Sequence, residues 1–316
     1  MTDDDLPPAA NSENVDIVIE ARKADLGGGF IVGRVLPFRL HRTVGPFVFF
    51  DHAGPTDLPS PIPRAVDVRP HPHIGLATVS YLFAGQITHR DSLGVEQVIE
   101  PGAVNWMTAG RGISHSERFE GRFKETGGAL DLIQSWVALP EADEEIAPAF
   151  DHYPAAGLPT QEGEGVWMRL IVGQAFGLKS AVKARSPIFY VHVELQDGAR
   201  VAAPDGHAER AAYVAHGRVT IEGRDYGHGQ MIVFKTGAAP AIRATGGPAT
   251  VMLLGGEGLG PRHIWWNFVS SRKERIEQAK ADWKAGRIAL PPADRDEFIP
   301  LPDETPARVG SRKTPD

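Results

Sequence analysis

The chain has 316 residues, enough for two domains that each bury a core, so a single small module is excluded. Glycine (35) and proline (26) are frequent, which favours many short strands joined by turns over an all-helical fold. Acidic residues (40) outnumber basic ones (33) and no basic block occurs, so direct binding to nucleic acid is disfavoured. The absence of cysteine excludes thiol catalysis, iron–sulfur clusters and cysteine-bound zinc, so a metal must be held by His, Asp or Glu.

The chain begins with an acidic segment, residues 1–12, that we expect to be a disordered tail. The apolar region of a signal peptide does not follow this segment, and the sequence has no run of about 18 apolar residues that could span a membrane. We therefore expect a cytoplasmic protein without membrane contact.

From residue 13 onward, short apolar runs alternate with turn residues, which is typical of β-sandwiches and β-barrels. Val15, Ile17 and Ile19 alternate along the first run, and three consecutive glycines, residues 27–29, predict a hairpin turn before the second. The later runs are Phe30–Leu36, Phe47–Phe50, Ala77–Phe83, Val95–Ile99, Ala129–Leu139, Val166–Val172, Pro187–Leu195, Ala211–Ala215, Val219–Glu222, Gln230–Phe234 and Thr250–Leu254. Together they predict an all-β fold of two tandem β-barrels.

A change of composition between residues 140 and 165, rich in Glu, Ala, Pro and Gly, predicts the connection between the two halves. We therefore expect an N-terminal domain at residues 13–150 and a C-terminal domain at residues 151–262. A helix and a proline-rich tail are expected at residues 263–316.

The helix is predicted from a capping-box pattern at Ser271–Glu274 and from apolar residues at helical spacing. These residues are Ile276, Ala279 and Trp283, and Gly286 supplies the stop. Beyond Leu290 the many prolines exclude regular structure, so the tail either wraps the surface in an extended form or is disordered.

The densest group of chemically active residues lies in two short motifs, P-H-P-H-I-G from residue 70 and G-R-G-I-S-H-S-E from residue 110. Residues i and i+2 of a strand share a face, so His71 pairs with His73, and His115 with Glu117. Three imidazoles and one carboxylate suit a divalent transition metal, and Fe(II) is the metal that we expect first. Ligand chemistry also permits Mn, Ni, Cu, Co or Zn. Pro72 stiffens its histidine pair and predicts an edge strand or a bulge.

The alternative interpretation is that these are ordinary polar residues at the end of a sheet. Two such pairs in one domain favour the metal site. His89, Arg90 and Asp91 either orient the ligands or form a surface turn. Gln134 and Trp136 have the spacing of one barrel face, with core packing as the ordinary role for the aromatic ring.

The same residues belong to longer motifs: H-P-H-x-G-x-x-T-V-x-Y-L from His71, H-R-D-S-x-G from His89 and P-G-x-V-x-W-M-T-A-G-x-G-I-x-H-S-E from Pro101. In these motifs, and in segments at residues 134–140 and 265–269, the sequence resembles the pirin family of bicupins across residues 15–300. The resemblance implies two cupin domains of the jelly-roll type. It also implies one metal ion, usually iron, in the N-terminal domain, and a metal-free C-terminal domain. The implied ligands are His71, His73, His115 and Glu117.

The sequence departs from the commoner family pattern at Ile74 and Ala77, where Arg and Glu are usual. Neither position is a ligand in the family, so metal binding is expected to survive. We expect the loss of two charges to make the pocket rim less polar and to change the preferred substrate or partner.

The resemblance implies quercetin 2,3-dioxygenase activity, in which O₂ cleaves the ring of a flavonol and CO is released. Glu117 would then be a ligand and also the catalytic base that removes the hydroxyl proton. The alternative is a non-catalytic, metal-dependent regulator that binds a protein partner, either a transcription factor or a metabolic enzyme. A cupin that serves only as a scaffold is a third alternative, which the complete ligand set argues against.

Overall fold

In the computed structural model, which describes residues 12–302, short strands follow one another along almost the whole chain. The first half contains β1 (Val15–Glu20), β2 (Arg22–Asp25), β3 (Ile31–Leu36), β4 (Phe47–Leu58), β5 (Val68–His73), β6 (Leu76–Ala84), β7 (Ile87–Asp91), β8 (Glu96–Ile99), β9 (Val104–Thr108), β10 (Ile113–Arg118), β11 (Gly128–Ala138) and β12 (Ala149–Tyr153). The second half contains β13 (Thr160–Gly163), β14 (Val166–Ala175), β15 (Leu178–Lys179), β16 (Ile188–Leu195), β17 (Arg200–Ala202), β18 (Glu209–His216), β19 (Arg218–Ile221), β20 (Arg224–Gly227), β21 (Gln230–Phe234), β22 (Ala241–Ala244), β23 (Ala249–Gly256), β24 (His263–Trp265) and β25 (Phe268–Ser270). The helices are α1 (Gly121–Thr126) and α2 (Lys273–Lys284), and neither is long and apolar enough to cross a membrane.

Apart from β24 and β25, which pair with each other, the strands form one large and one small sheet for each jelly roll. The first large sheet has the order β12-β9-β6-β11-β4-β3-β2 and the first small sheet the order β5-β10-β7-β8. The second large sheet has the order β1-β21-β18-β23-β16-β14-β13, with β15 paired to β14, and the second small sheet the order β17-β22-β19-β20. Each half is therefore a jelly roll of two facing sheets and not a closed barrel, and the predicted all-β fold of two tandem jelly rolls is confirmed.

The predicted glycine hairpin is confirmed. Strands β2 and β3 pair antiparallel on either side of Gly27–Gly29, and all three glycines have positive φ. At Gly28 (φ +63°) a Cβ atom would lie 1.8 Å from the carbonyl oxygen of Ala65, so a side chain is excluded there by space as well as by conformation.

The two large sheets pack on each other through one apolar cluster that contains residues of both halves. Its largest members are Phe47, Phe50, Tyr81, Trp106, Tyr190 and Tyr213. Strand β1 also joins the halves, because it pairs with β21 of the second large sheet, with Ile19 opposite Met231. The expected boundary at residue 150 falls within β12, an edge strand of the first large sheet. The domain limits themselves stay predictions.

The interiors of the two jelly rolls differ. The second is filled by one continuous apolar cluster, whose members include Phe189, Val191, Val219, Tyr226, Phe234 and Ile242. The first contains two separate clusters, one around Leu82 and Leu132 and one around Phe49 and Trp136. Members of both clusters line a cavity of about 380 Å³. The polypeptide therefore leaves room for a ligand inside its first half.

Helix α2 covers the first jelly roll, as its spacing predicted. Ile276, Ala279 and Trp283 are buried against Ile74 and Phe268. The predicted capping box is wrong, because the helix begins after Arg272 without a side-chain cap. The hydroxyl of Ser271 instead donates to Glu144, 3.1 Å away, so a distant carboxylate replaces the local partner.

Residues 287–302, here called the C-terminal strap, wrap the outer face of β10. The hydroxyl of Ser114 donates to the carbonyl of Ala289 (2.5 Å), and the hydroxyl of Ser116 donates to Asp294 (2.7 Å). The guanidinium of Arg118 donates two hydrogen bonds to Asp294 and a third to Glu297. The tail thus wraps the surface as far as residue 302, and residues 303–316 lie outside the described part, as do residues 1–11 of the expected N-terminal tail. The last residue of that expected tail, Ser12, is buried, and its hydroxyl donates to Glu222 (2.6 Å), so disorder is the wrong prediction for this residue.

We expect Asp294→Asn to lower the free energy of unfolding by about 2–3 kcal/mol, because the buried guanidinium of Arg118 loses one charged acceptor, while Asp67 and Glu297 remain. Asp296→Asn is the matched control, since Asp296 is an exposed carboxylate of the same strap, and its effect should stay within about 0.5 kcal/mol. Urea unfolding of both variants measures the difference. Equal stability of the two variants would contradict the role of the strap.

Candidate metal centre

The two histidine motifs fold into neighbouring strands. β5 and β10 pair antiparallel, with His71 opposite His115 and His73 opposite Ile113. The register shifts between His115 and Glu117, which marks a bulge next to the cluster. β5 is an edge strand of the first small sheet, as Pro72 predicted. The alternation of side chains along both strands therefore brings the motifs to one place.

Three of the four predicted ligands form a tight cluster. The candidate ligand atoms of His71, His73 and His115 lie within 4.8 Å of one another. Nε2 of His73 is 3.1 Å from Nε2 of His115, and the rings of His71 and His115 are 4.4 Å apart. Two imidazole nitrogens at right angles around an ion with bonds of ~2.1 Å would be about 3 Å apart, so the pair has the spacing of adjacent ligands.

The far side of two of these rings is held by hydrogen bonds. Nδ1 of His71 donates to the carbonyl of Arg69 (2.9 Å), which leaves Nε2 free to bind a metal. Nδ1 of His115 lies 3.3 Å from Nδ1 of His89, and Nε2 of His89 lies 3.1 Å from Asp91. Of the two interpretations of the His89–Asp91 motif, orientation of a ligand is the one that this geometry favours.

Burial keeps the three clustered imidazoles neutral. Desolvation lowers the pKa of His71 to about 4 and lowers the pKa values of His73 and His115 well below their usual range, with the neighbouring imidazoles adding to the effect. A metal ligand must be a neutral imidazole. The cluster is therefore in the binding-competent protonation state at neutral pH.

Glu117 lies beside the cluster rather than inside it. Its Oε1 atom is 3.5 Å from Nδ1 of His115, and its buried Oε2 atom has no hydrogen-bond partner among the described residues. Burial raises the pKa of the Glu117 carboxyl to about 8. A buried acceptor without a donor is costly, and a cation at the cluster would satisfy it. The donor set thus fits a divalent metal, and the place of Glu117 as the fourth ligand stays a prediction.

The cluster opens on the cavity of the first jelly roll. His71, His73 and Glu117 are part of its lining. One wall is aromatic, because Trp136 stacks on Phe49 with ring centres 3.9 Å apart and meets His73 edge-on at 5.0 Å. The apolar lining also includes Leu82, Ile87, Ile99, Leu132, Trp266 and, from the strap, Ile299. The cavity is suited to a flat, largely apolar molecule.

Two polar groups on the large sheet break this apolar lining. Nε and Nη2 of Arg34 donate to Asp51 at 2.8 and 2.7 Å, and the guanidinium lies over the ring of Phe49 at 4.5 Å. Gln134 accepts a hydrogen bond from Ser80 (2.7 Å) and also lines the cavity. Arg34 and Asp51 were not predicted as site residues, although a charged residue directly after the apolar run Phe47–Phe50 could have indicated Asp51.

The expectation about Ile74 and Ala77 is wrong, because neither residue lines the cavity. Ile74 is buried under helix α2, and Ala77 lies in the cluster between the large sheets. Apolar residues at these positions therefore affect packing and not the polarity of the pocket.

We expect His115→Ala to abolish tight binding of Fe(II), and His89→Ala to weaken it about 10–100-fold, because the support of a ligand ring is lost. His152→Ala is the control, since His152 on β12 is hydrogen-bonded to Asn105 on β9 and is not part of the cluster. Competition with a chromophoric chelator measures the affinities. An unchanged affinity in His89→Ala would show that the ring does not orient His115.

The chain was compared with known proteins. Residues 29–137 match the Pirin family, and residues 190–289 match the Pirin C-terminal cupin domain. A pirin-like protein of Caulobacter vibrioides is 58% identical over 92% of this chain and 100% of its own length. A putative quercetin 2,3-dioxygenase of Pseudomonas aeruginosa is 36% identical over 85% of this chain and 83% of its own.

A crystal structure of quercetin 2,3-dioxygenase from Acinetobacter baumannii is similar throughout. It superimposes with a TM-score of 0.83 at 32% identity and covers 92% of this chain and 96% of its own. The matches extend over both jelly rolls and over the histidine motifs of the first. The chain therefore belongs to the pirin family.

Proposed function

We propose that this protein is a mononuclear iron dioxygenase of the quercetin 2,3-dioxygenase type, which cleaves a flavonol-like ring with O₂ and releases CO. The observation that carries the proposal is the position of the histidine cluster in the lining of an apolar cavity of about 380 Å³. This volume is within the ~300–1,000 Å³ of small-molecule pockets. The names of the relatives from Pseudomonas and Acinetobacter support the same activity.

The four ligands in this proposal are His71, His73, His115 and Glu117, with Fe(II) as the first choice of metal. The ion would supply Lewis acidity toward a phenolic oxygen and one-electron chemistry toward O₂. The protein contributes neutral imidazoles in a buried site, so the ligand set needs no prior loss of protons from histidine.

Glu117 is the proposed base for the substrate hydroxyl. Without a metal, burial raises the pKa of the Glu117 carboxyl to about 8. A divalent cation at the cluster would favour the ionised carboxylate, which is the form that can act as a base. Its Oε2 atom has no protein partner among the described residues and can take up the proton. Proton removal would therefore occur at the side of the cavity where the histidines lie.

The walls position the substrate and limit access of water. The stacked pair of Phe49 and Trp136 offers a flat face on which an aromatic ring can lie. Asp51 uses Nε and Nη2 of Arg34 and not Nη1, so the guanidinium keeps a donor for a substrate oxygen. The side chain of Arg34 is 31% exposed, which leaves it accessible from the cavity.

The activity is tested by loading the purified protein with Fe(II) and adding quercetin under air. We expect loss of the visible absorption of quercetin and release of CO, both abolished in His73→Ala and retained in the control His152→Ala. The proposal would be contradicted if none of Fe, Mn, Co, Ni and Cu supported turnover of quercetin.

The role of Arg34 is tested by replacing the ion pair with an apolar pair, Arg34→Met with Asp51→Leu, which avoids leaving one buried charge alone. We expect KM for quercetin to rise about tenfold with little change in kcat, since one hydrogen bond to a charged group is worth ~1.5–3 kcal/mol. Arg42→Met, at an exposed arginine outside the cavity, is the control. A fall in kcat at constant KM would contradict a role in substrate binding.

A further inference from the structure

A second group of candidate ligands lies between the two large sheets. His52 on β4 and Asp131 on β11 belong to the first half of the chain, and His216 at the end of β18 belongs to the second. Their candidate ligand atoms lie within 4.8 Å of one another. Nε2 of His52 is 2.6 Å from one carboxylate oxygen of Asp131, and Nε2 of His216 is 2.8 Å from the other.

The side chains around this group hold its imidazoles in place. The hydroxyl of Tyr213 is 2.9 Å from Nδ1 of His52, which directs Nε2 of that ring toward Asp131. The ring of Phe83 meets His52 and His216 edge-on, with ring centres 6.1 and 5.5 Å away. A hydrogen-bond partner on the far ring nitrogen is what commonly orients a ligand histidine.

The group is buried on one side and open on the other. The side chains of His52 and Asp131 are 1% and 8% exposed, whereas that of His216 is 31% exposed. The ring of His228 borders the same place, 5.5 Å from the ring of His52. An ion could therefore reach the ligands from the His216 side and keep a water molecule there.

We propose that His52, Asp131 and His216 form a second metal site, for Zn²⁺ or a similar divalent ion, that links the two jelly rolls. Two imidazole nitrogens and one carboxylate oxygen, with water as the fourth ligand, are a donor set that zinc accepts. Binding replaces the two N–H···O hydrogen bonds to Asp131, and each imidazole then carries its proton on Nδ1. Tyr213 can accept the hydrogen bond from Nδ1 of His52 in that state.

This site is separate from the centre in the cavity. Along β4, Asp51 lines the cavity, whereas its neighbour His52 points to the opposite face of the sheet. Along β11, Gln134 lines the cavity, whereas Asp131 lies in the group between the sheets. Changes in the second site should therefore leave quercetin turnover intact.

The test is zinc binding by the full-length protein after removal of metals with a chelator. We expect two Zn²⁺ per chain in the wild type, measured by equilibrium dialysis and elemental analysis. His71→Ala should retain one, in the second site, and His216→Gln should retain one, in the first. His263→Gln replaces an exposed histidine of β24 and should still bind two.

A second measurement separates binding from damage to the fold. In the His71→Ala background, Zn²⁺ should raise the melting temperature, and adding His216→Gln should remove this increase. Co²⁺ in the same background should give the visible absorption of a four-coordinate site. One zinc per chain in the wild type, or the same zinc stoichiometry in His216→Gln as in the wild type, would overturn the proposal. Because His216 does not line the cavity, neither result bears on the dioxygenase assay.

Discussion

The alternation of side chains along two strands, β10 and β4, determines where several candidate functional groups of this protein lie. Successive residues of a strand point to opposite faces of its sheet, so neighbouring residues of one strand can belong to two different sites. Along β10, His115 belongs to the histidine cluster and Glu117 lies beside it, while Ser116 between them is held from outside by the strap. Along β4, Asp51 faces the cavity and His52 faces the second jelly roll. A register slip of one residue would exchange these roles, so accurate strand pairing is a condition for the chemistry.

The features that the sequence predicted correctly depend on residues close together in the chain. The i, i+2 spacing of His71 and His73, the glycine hairpin and the apolar spacing of helix α2 are all local patterns. The features it missed depend on long-range pairing. Arg34 meets Asp51 only because β3 and β4 pair. The hydroxyl of Ser271 donates to Glu144, 127 residues away, where a local capping role was expected. The resemblance to pirins implied the same four ligands as the i, i+2 spacing, but it could not show that Ile74 faces helix α2 and not the pocket.

The two jelly rolls show how one architecture supports different roles through packing alone. The second encloses a continuous apolar cluster, which serves stability. In the first, the apolar residues form two clusters on either side of a cavity, so its interior is packed less completely than that of the second. Two further elements connect the jelly rolls. Strand β1 crosses to the second large sheet, and helix α2 returns to the first jelly roll, where its buried face packs on Ile74 next to the candidate ligand His73.

The ion pair of Arg34 and Asp51 argues most directly that the cavity has a chemical purpose. An ion pair with a buried member rarely stabilises a protein more than apolar side chains of the same volume, because the buried charge loses its hydration, and the Asp51 side chain is only 3% exposed. Desolvation is strong enough here to raise the pKa of Asp51 although Arg34 opposes the shift. Stability alone would therefore favour an apolar pair at these positions. The guanidinium of Arg34 lies over the ring of Phe49, which stacks on Trp136. Trp136 in turn contacts His73 edge-on. Two stacked rings therefore separate the Arg34 cation from the candidate metal ligand His73. A flat molecule on this wall would reach both groups at once, which favours an aromatic substrate that carries oxygen atoms at both ends.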